Sequence, residues 1–310
     1  MNIIFIGTSE FAVLPLKKLI DRGFNVEAVV TQPDKRGGRG KKLIFSPVKT
    51  ASQYLGIDIL QPENINSKSI ENFILEKKID LGVVVSYAQI ISKEIFTIPK
   101  YKIINIHPSL LPLYRGPSPI QSCLLNGDIK TGVSIIEISE KMDAGDILCQ
   151  KEVKIEENDD YFSLHNKLSH LGADLLINVI EQIDNITKIK QNEDLATYCK
   201  LITKEDGLIN WNDNSLKIYN QIRALVAWPV SYTYFNGKIL KIYRSKILNR
   251  RFNLPAGTLV RISKKSFGVV CGDKRLIEIL EVQLAGKKVL KASEFLNGVN
   301  IKTGDILIDK

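Results

Sequence analysis

Metal and thiol chemistry find little to work with in this 310-residue chain. Its four cysteines (Cys123, Cys149, Cys199, Cys271) are scattered without a CxxC, and none of its three histidines stands at ligand spacing from them. A disulfide framework and a zinc site are therefore not expected, and no metal is called for. No apolar run comes near the roughly 18 residues a membrane helix needs. The opening MNIIFIGTSEF has neither a basic leader nor a small-residue cleavage motif. The expectation is a cytoplasmic chain without membrane contact. Glycine is missing where a dinucleotide would need it: Gly7 closes the first apolar run, yet no second and third glycine complete GxGxxG. A nicotinamide cofactor is thus disfavoured, and GTSEF reads as a strand-to-helix turn with Ser9 at a helix cap. Repeats and low-complexity tracts are absent too.

Negative charge is scarce in one region only. Residues 1–205 hold 25 Lys+Arg against 26 Asp+Glu, whereas residues 206–310 hold 18 against 8, a net +10. A solubility surface accounts for isolated charge runs. A whole region biased this far points to a polyanion, because each Lys or Arg set against a phosphate releases condensed counterions. Nucleic acid is the expected partner.

What is present falls into two patterns. The first half alternates short aliphatic runs (NIIFIG, VEAVVTQ, LGVVVSYA, KIINIH) with helical stretches near 47–55, 67–77 and 119–126. Such runs suit strands buried on both faces, and the βαβα rhythm predicts an α/β fold: a doubly wound, mostly parallel, Rossmann-like sheet. TGVSIIEI and DILCQKEVKI come next as later strands, and a long amphipathic helix closes a first domain over 1–185. Residues 186–212 turn polar and irregular and read as a linker. From 213 to 310, after a short helix at 215–226, brief strands alternate with Gly and Asn turns such as FNGK. A smaller antiparallel β-barrel of OB type is the expectation there.

Chemistry concentrates in INIHPSLLPLYRGPSP, residues 104–119. Strand alternation sends Asn105 and His107 to one face, and Pro108 ends the ladder. Ligands of open parallel sheets bind beyond the carboxyl ends of the strands, which is where this pair stands. His165 and His170, on the amphipathic helix, read as structural. An imidazole exchanges protons near neutral pH, and a carboxamide donates to an oxygen that turns negative during acyl transfer. With no serine elbow or activated cysteine beside them, direct attack by a substrate nucleophile is favoured. Asp143 and Asp146, in EKMDAGDIL, offer a carboxylate to orient the imidazole. Asp146 fits a turn residue, and spacing leaves Asp143 open between a turn and the crevice.

Asn105-x-His107 with SLLP, RG and P after it, then TGVSI and MDAGDIL, resembles the 10-formyltetrahydrofolate-dependent formyltransferases. The resemblance extends through IIFIGTSEFA, TQPDKRGGRGKKLIFSPVK, KLITKEDGLINW, IRALVAWPVSY and LAGKKVL, nearly end to end. It implies a catalytic trio at Asn105, His107 and Asp143, and folate contacts at Ser109, Leu110, Leu111 and Pro112. It further implies 10-formyltetrahydrofolate as formyl donor, and the α-amine of methionyl initiator tRNA as acceptor. Leu113-Tyr114 departs from the basic residue and tryptophan usual in the tRNA-acting members. The loop DKRGGRGKKLIFSPVK carries Lys35, Arg36, Arg39, Lys41 and Lys42 among glycines, and tRNA contact is expected of Arg36, Arg39, Lys41 and Lys42. The enzyme is expected to act as a monomer. Relatives that formylate glycinamide ribonucleotide or amino-sugar nucleotides share the catalytic half, but have no evident need for so cationic a second domain.

Overall fold

Aliphatic runs buried on both faces become parallel strands in the computed structural model, which describes residues 1–37 and 42–307. In chain order the strands of this half are β1 (Asn2–Gly7), β2 (Asn25–Val30), the short β3 (Lys35–Gly37) and β4 (Lys42–Ile44), β5 (Ile59–Leu60), β6 (Leu81–Val85), β7 (Ile103–His107), β8 (Lys130–Glu137) and β9 (Ile147–Lys154). Seven of them form one sheet in the order β5-β2-β1-β6-β7-β8-β9, while β3 and β4 make a separate hairpin. The ladders from β5 to β7 are parallel; β8 and β9 then run antiparallel. All five residues of β6, Leu-Gly-Val-Val-Val, are buried.

The first helices are α1 (Val13–Asp21), α2 (Pro47–Leu55), α3 (Lys68–Glu76), α4 (Lys93–Phe96), α5 (Pro119–Asn126) and the long α6 (Tyr161–Glu181). Local chemistry sets the limits of α2. Ser46 Oγ accepts from the Lys49 amide, Pro47 opens the first turn, and Gly56 closes the last at φ +69°. Ser9 stands at the cap position of the 3-10 turn Glu10–Ala12, but its side chain makes no cap hydrogen bond.

The chain divides into two compact units. The first comprises residues 1–119, 130–154 and 165–199; the second comprises 120–129, 155–164 and the chain from 200 onward. A core of Ile4, Ile6, Val30, Ile74, Val84 and Ile103 sits in the first. Each such side chain contributes about 1.5–3 kcal/mol when fully buried.

From residue 200 onward the first α-helix of the second unit is α7 (Ser215–Leu225), capped by Asn214. After it come β10 (Ser231–Phe235), β11 (Lys238–Arg251), β12 (Leu259–Arg261), β13 (Phe267–Val270), β14 (Arg275–Leu284), β15 (Leu290–Lys291) and α8 (Ala292–Gly298). Asn236 and Gly237, both at positive φ, make the two-residue turn expected of FNGK. Pairing is antiparallel throughout, in the order β10-β11-β14-β13-β12 with β15 on β14. Among the described residues no ladder joins β10 to β12, so the sheet stays open where the sequence suggested a barrel. Register shifts along the 14-residue β11 are the bends by which such a sheet curls without closing. Trp211, Phe235, Phe267 and Phe295 lie in its core.

Candidate active site

Two neighbours fix the end of β7. Asn105 pairs with Val84 of β6 on one side and Ile136 of β8 on the other, and His107 faces Ser134 of β8. Pro108 then takes the chain out of the ladder, and Ser134 catches the residues beyond it. Its hydroxyl donates to the Ser109 carbonyl (2.6 Å) and accepts from the Leu111 amide (3.1 Å) and from Gln150 Nε2 (2.7 Å). One serine thus pins the loop behind the histidine to the sheet.

Asp143 reaches the same place from the loop between β8 and β9. Its Oδ1 accepts from Asn105 Nδ2 at 3.4 Å; its Oδ2 accepts from the Gly116 amide at 2.8 Å and lies 3.7 Å from His107 Nδ1. The other imidazole nitrogen, Nε2, donates to the Tyr114 carbonyl at 2.9 Å. A carbonyl can only accept, so this bond leaves Nδ1 as the nitrogen free to exchange a proton beside the carboxylate. The side chains of His107 and Asp143 are 5% and 14% exposed, so the pair is largely shielded from bulk water. The carboxylate bridges amide and imidazole, and of the two aspartates in EKMDAGDIL it is Asp143 that reaches them.

The backbone around this carboxylate tolerates little. Gly116 adopts φ +120°, and a Cβ there would lie 2.6 Å from the Cys199 carbonyl oxygen. Asp143 itself is at φ +52° and Tyr114 at +60°, a left-handed region that surrounding contacts must hold.

Those contacts come from the polar tract after α6. Arg115, 1% exposed, donates to Gln191 Oε1 (3.1 and 2.9 Å), to both Glu193 oxygens (3.1 and 2.8 Å) and to Tyr198. Gln191 Nε2 donates in turn to the carbonyls of Asp143 (2.8 Å) and Gly145 (2.7 Å). Backbone bonds continue the seam: Thr197 N to Pro112 O, Arg115 N to Thr197 O, and Cys199 N to Arg115 O. Residues 189–199 therefore form a strap on the first unit. The Arg115 hydrogen bond holds the Glu193 carboxyl below its usual range. Sequence reading passed over Gln191 and Glu193 because polar composition looks the same in a linker and in a strap. The Arg-Gly pair at 115–116 was the one visible signal.

The other expected residues have different surroundings. Ser109 and Leu111 are buried: Ser109 Oγ donates to the Leu113 carbonyl, and Leu111 packs with Ile136 and Ile147. Leu110 and Pro112 are half-buried. Arg36 and Lys42 are exposed on β3 and β4, while Arg39 and Lys41 lie outside the described residues. At the foot of that hairpin Lys49 bonds Asp34 and Gln61, and the Lys49 hydrogen bond holds the Asp34 carboxyl below its usual range. Among the described residues no group of three or more His, Cys, Asp or Glu is arranged for a metal ion, and no helix is long and apolar enough to cross a membrane.

Comparison with known proteins bears on the chain as a whole. The formyl transferase family model matches residues 1–180, and the model for the formyl transferase C-terminal domain matches 201–300. The methionyl-tRNA formyltransferase of Caldanaerobacter subterraneus subsp. tengcongensis is 42% identical over 310 residues, covering 99% of this chain and 100% of its own. That of Bacillus subtilis is 41% identical over 308 residues, covering 99% and 97%. Among solved structures, an N-formyltransferase from Helicobacter canadensis in complex with folinic acid and dTDP-3-aminofucose aligns with a TM-score of 0.67. It is 22% identical and covers 89% of this chain and 98% of its own, a likeness of fold. With both family models matched in order and identity above 40% from end to end, the chain belongs to the formyl transferase family.

Proposed function

We infer that this chain is a methionyl-tRNA formyltransferase, moving the formyl group of 10-formyltetrahydrofolate to the α-amine of methionyl initiator tRNA. The observation that carries the reading is full-length identity to enzymes of that name, 42% with 99% of the chain covered. Convergence of Asn105, His107 and Asp143 from two separate segments supplies groups suited to the chemistry.

In the proposed reaction the acceptor amine attacks the formyl carbon, the bond from that carbon to N10 of the folate breaks, and N10 leaves with a proton. Asn105 Nδ2 would donate to the carbonyl oxygen as it gains negative charge. His107, tethered by Nε2, would take the amine proton at Nδ1 and return it to the leaving nitrogen. Asp143 would hold the ring in place and stabilise it while charged. The long spacings, 3.4 Å to Asn105 and 3.7 Å to His107, suit groups that still have a reacting carbonyl to receive. The surroundings are compatible with a folate. β6 and β7 end side by side, and beyond them half-buried Leu110 and Pro112 offer apolar edges to a pterin.

Residues 1–185 would perform the transfer and the basic residues 213–310 would hold the tRNA, with Arg36, Arg39, Lys41 and Lys42 meeting its acceptor end. The same reading makes the enzyme a cytoplasmic monomer. The decisive test supplies 10-formyltetrahydrofolate with charged initiator tRNA, glycinamide ribonucleotide or an amino-sugar nucleotide, each separately. Formylation of the tRNA alone is expected. Preferential formylation of a small amine would make the chain a formyltransferase of another substrate class.

A further inference from the structure

We propose that Gln191 is a positioning residue of the transfer, tying the loop that carries Asp143 to the loop beyond His107. The inference rests on the reading in which Asp143 works with Asn105 and His107. Gln191 is 5% exposed, and its carboxamide makes four hydrogen bonds, the full complement of such a group. Its oxygen accepts twice from Arg115, the residue between Tyr114, whose carbonyl tethers His107, and Gly116, whose amide binds Asp143. Its nitrogen donates to the carbonyls of Asp143 and Gly145 on the opposite loop.

The cross-link matters because Asp143 sits at φ +52° and depends on outside contacts to stay there. Were the carbonyls of 143 and 145 released, the peptide could turn and carry the carboxylate out of reach of both partners. At 3.4 and 3.7 Å the contacts to Asn105 and His107 are already at the edge of reach, so a small outward shift ends them. A misplacement of about 1 Å at a reacting group costs on the order of a hundredfold in rate. A merely structural amide would cost stability without singling out the chemical step.

The sharpest variant is Gln191→Glu, which keeps an acceptor for Arg115 and removes both donors to the carbonyls. It is measured in the full chain, with and without Asp143→Asn, for kcat, KM of both substrates and melting temperature. We expect a kcat lowered about 10–100-fold with KM near the parent's, and a lowered melting temperature as well, because two buried carbonyls lose their donors. Lowering the pH protonates the introduced carboxylate and restores one donor, so the ratio of variant to parent kcat rises on the acid side. In the Asp143→Asn background the substitution adds no further loss, since the group it positions is already gone. A parent-like kcat, a loss confined to KM, or an undiminished loss in the Asp143→Asn background overturns the proposal. If Gln191→Glu does not fold, the double variant Arg115→Met with Gln191→Met removes both buried partners together and carries the same measurements. An Asp143→Asn enzyme with parent-like kcat would sink the reading beneath. A crippled Asp143→Asn beside an unaffected Gln191→Glu sinks only the role of Gln191.

Discussion

At the end of β7, His107 and Asp143 are almost closed to solvent, and each is tied to backbone groups of neighbouring loops at about 2.8–2.9 Å. On the hairpin of β3 and β4, Lys35, Arg36 and Lys42 stand exposed, and the foot is clamped by Lys49 to Asp34 and Gln61. Both regions belong to the same compact unit, yet they obey opposite rules. Bond-making chemistry depends on displacements of tenths of an ångström, so its groups are buried and cross-linked. Capture of a polyanion, the role proposed for the hairpin, depends on charge and reach, and salt screens it, so groups serving it would stay in water. Substitution should therefore act on kcat in the first region and on binding in the second.

The largest effects are expected at the trio itself. Asn105→Ala and Asp143→Asn should each lower kcat by about 10²–10³ or more, the scale of losing one oxyanion donor. The melting temperature should stay close to the parent's, because neither side chain belongs to an apolar core. A purified variant with parent-like turnover removes that residue from the mechanism and breaks the comparison. Gly116→Ala comes next. Its Cβ would lie 2.6 Å from the Cys199 oxygen at a φ of +120°, strain of about 1–3 kcal/mol that is relieved by moving the amide which binds Asp143. Both kcat and melting temperature should fall. A drop in melting temperature alone would show that the Gly116 amide is scaffold only.

How much of this was written in the sequence differs between the same two regions. Strands and helices were legible because burial on both faces leaves aliphatic runs, and because Ser46, Pro47 and Gly56 mark the limits of α2. Asn105 and His107 were legible from strand alternation. Asp143 was not fixed by spacing: it arrives across the β8–β9 connection, and its neighbour Asp146 has the same local chemistry. Gln191 and Glu193 left no pattern, since a buried carboxamide is recognised by its partners, and those lie 46–78 residues away in sequence. The resemblance implies folate contacts at Ser109 and Leu111; in the structure both are buried, and the Ser109 hydroxyl donates to the Leu113 carbonyl. Charge, which needs no geometry, was visible by counting.

A smaller effect, of the opposite kind, is expected on the hairpin. Arg36→Ala with Lys42→Ala should raise KM for the tRNA several-fold while kcat at saturation stays near the parent's. The dependence of log affinity on log salt should flatten by roughly 0.7–0.9 for each phosphate contact removed. Titration of binding between low and moderate salt checks this. An unchanged slope would mean that neither side chain meets a phosphate.

The smallest effect concerns Glu137, which joins Lys102 at the foot of β7 to Lys188 just ahead of the strap. Burial by itself raises this carboxyl, but hydrogen bonds from Lys188 (2.6 Å) and Lys102 (3.0 Å) outweigh it, and the group titrates below the ordinary glutamate range. With a depressed folded-state pKa, the unfolded chain takes up the proton first as pH falls. The stabilisation is whole above the ordinary range and is lost as pH drops through it towards the folded value. Glu137→Gln should cost about 1–2 kcal/mol at neutral pH, the scale of hydrogen bonds to a charged group. It should also flatten the acid limb of the stability curve, read by denaturant titration at stepped pH. Because the pair supports the strap without touching Asp143, kcat per folded molecule should match the parent's. If kcat falls with stability, the strap transmits strain along its length. The division between a rigid chemical centre and its supports would then have to be drawn further out.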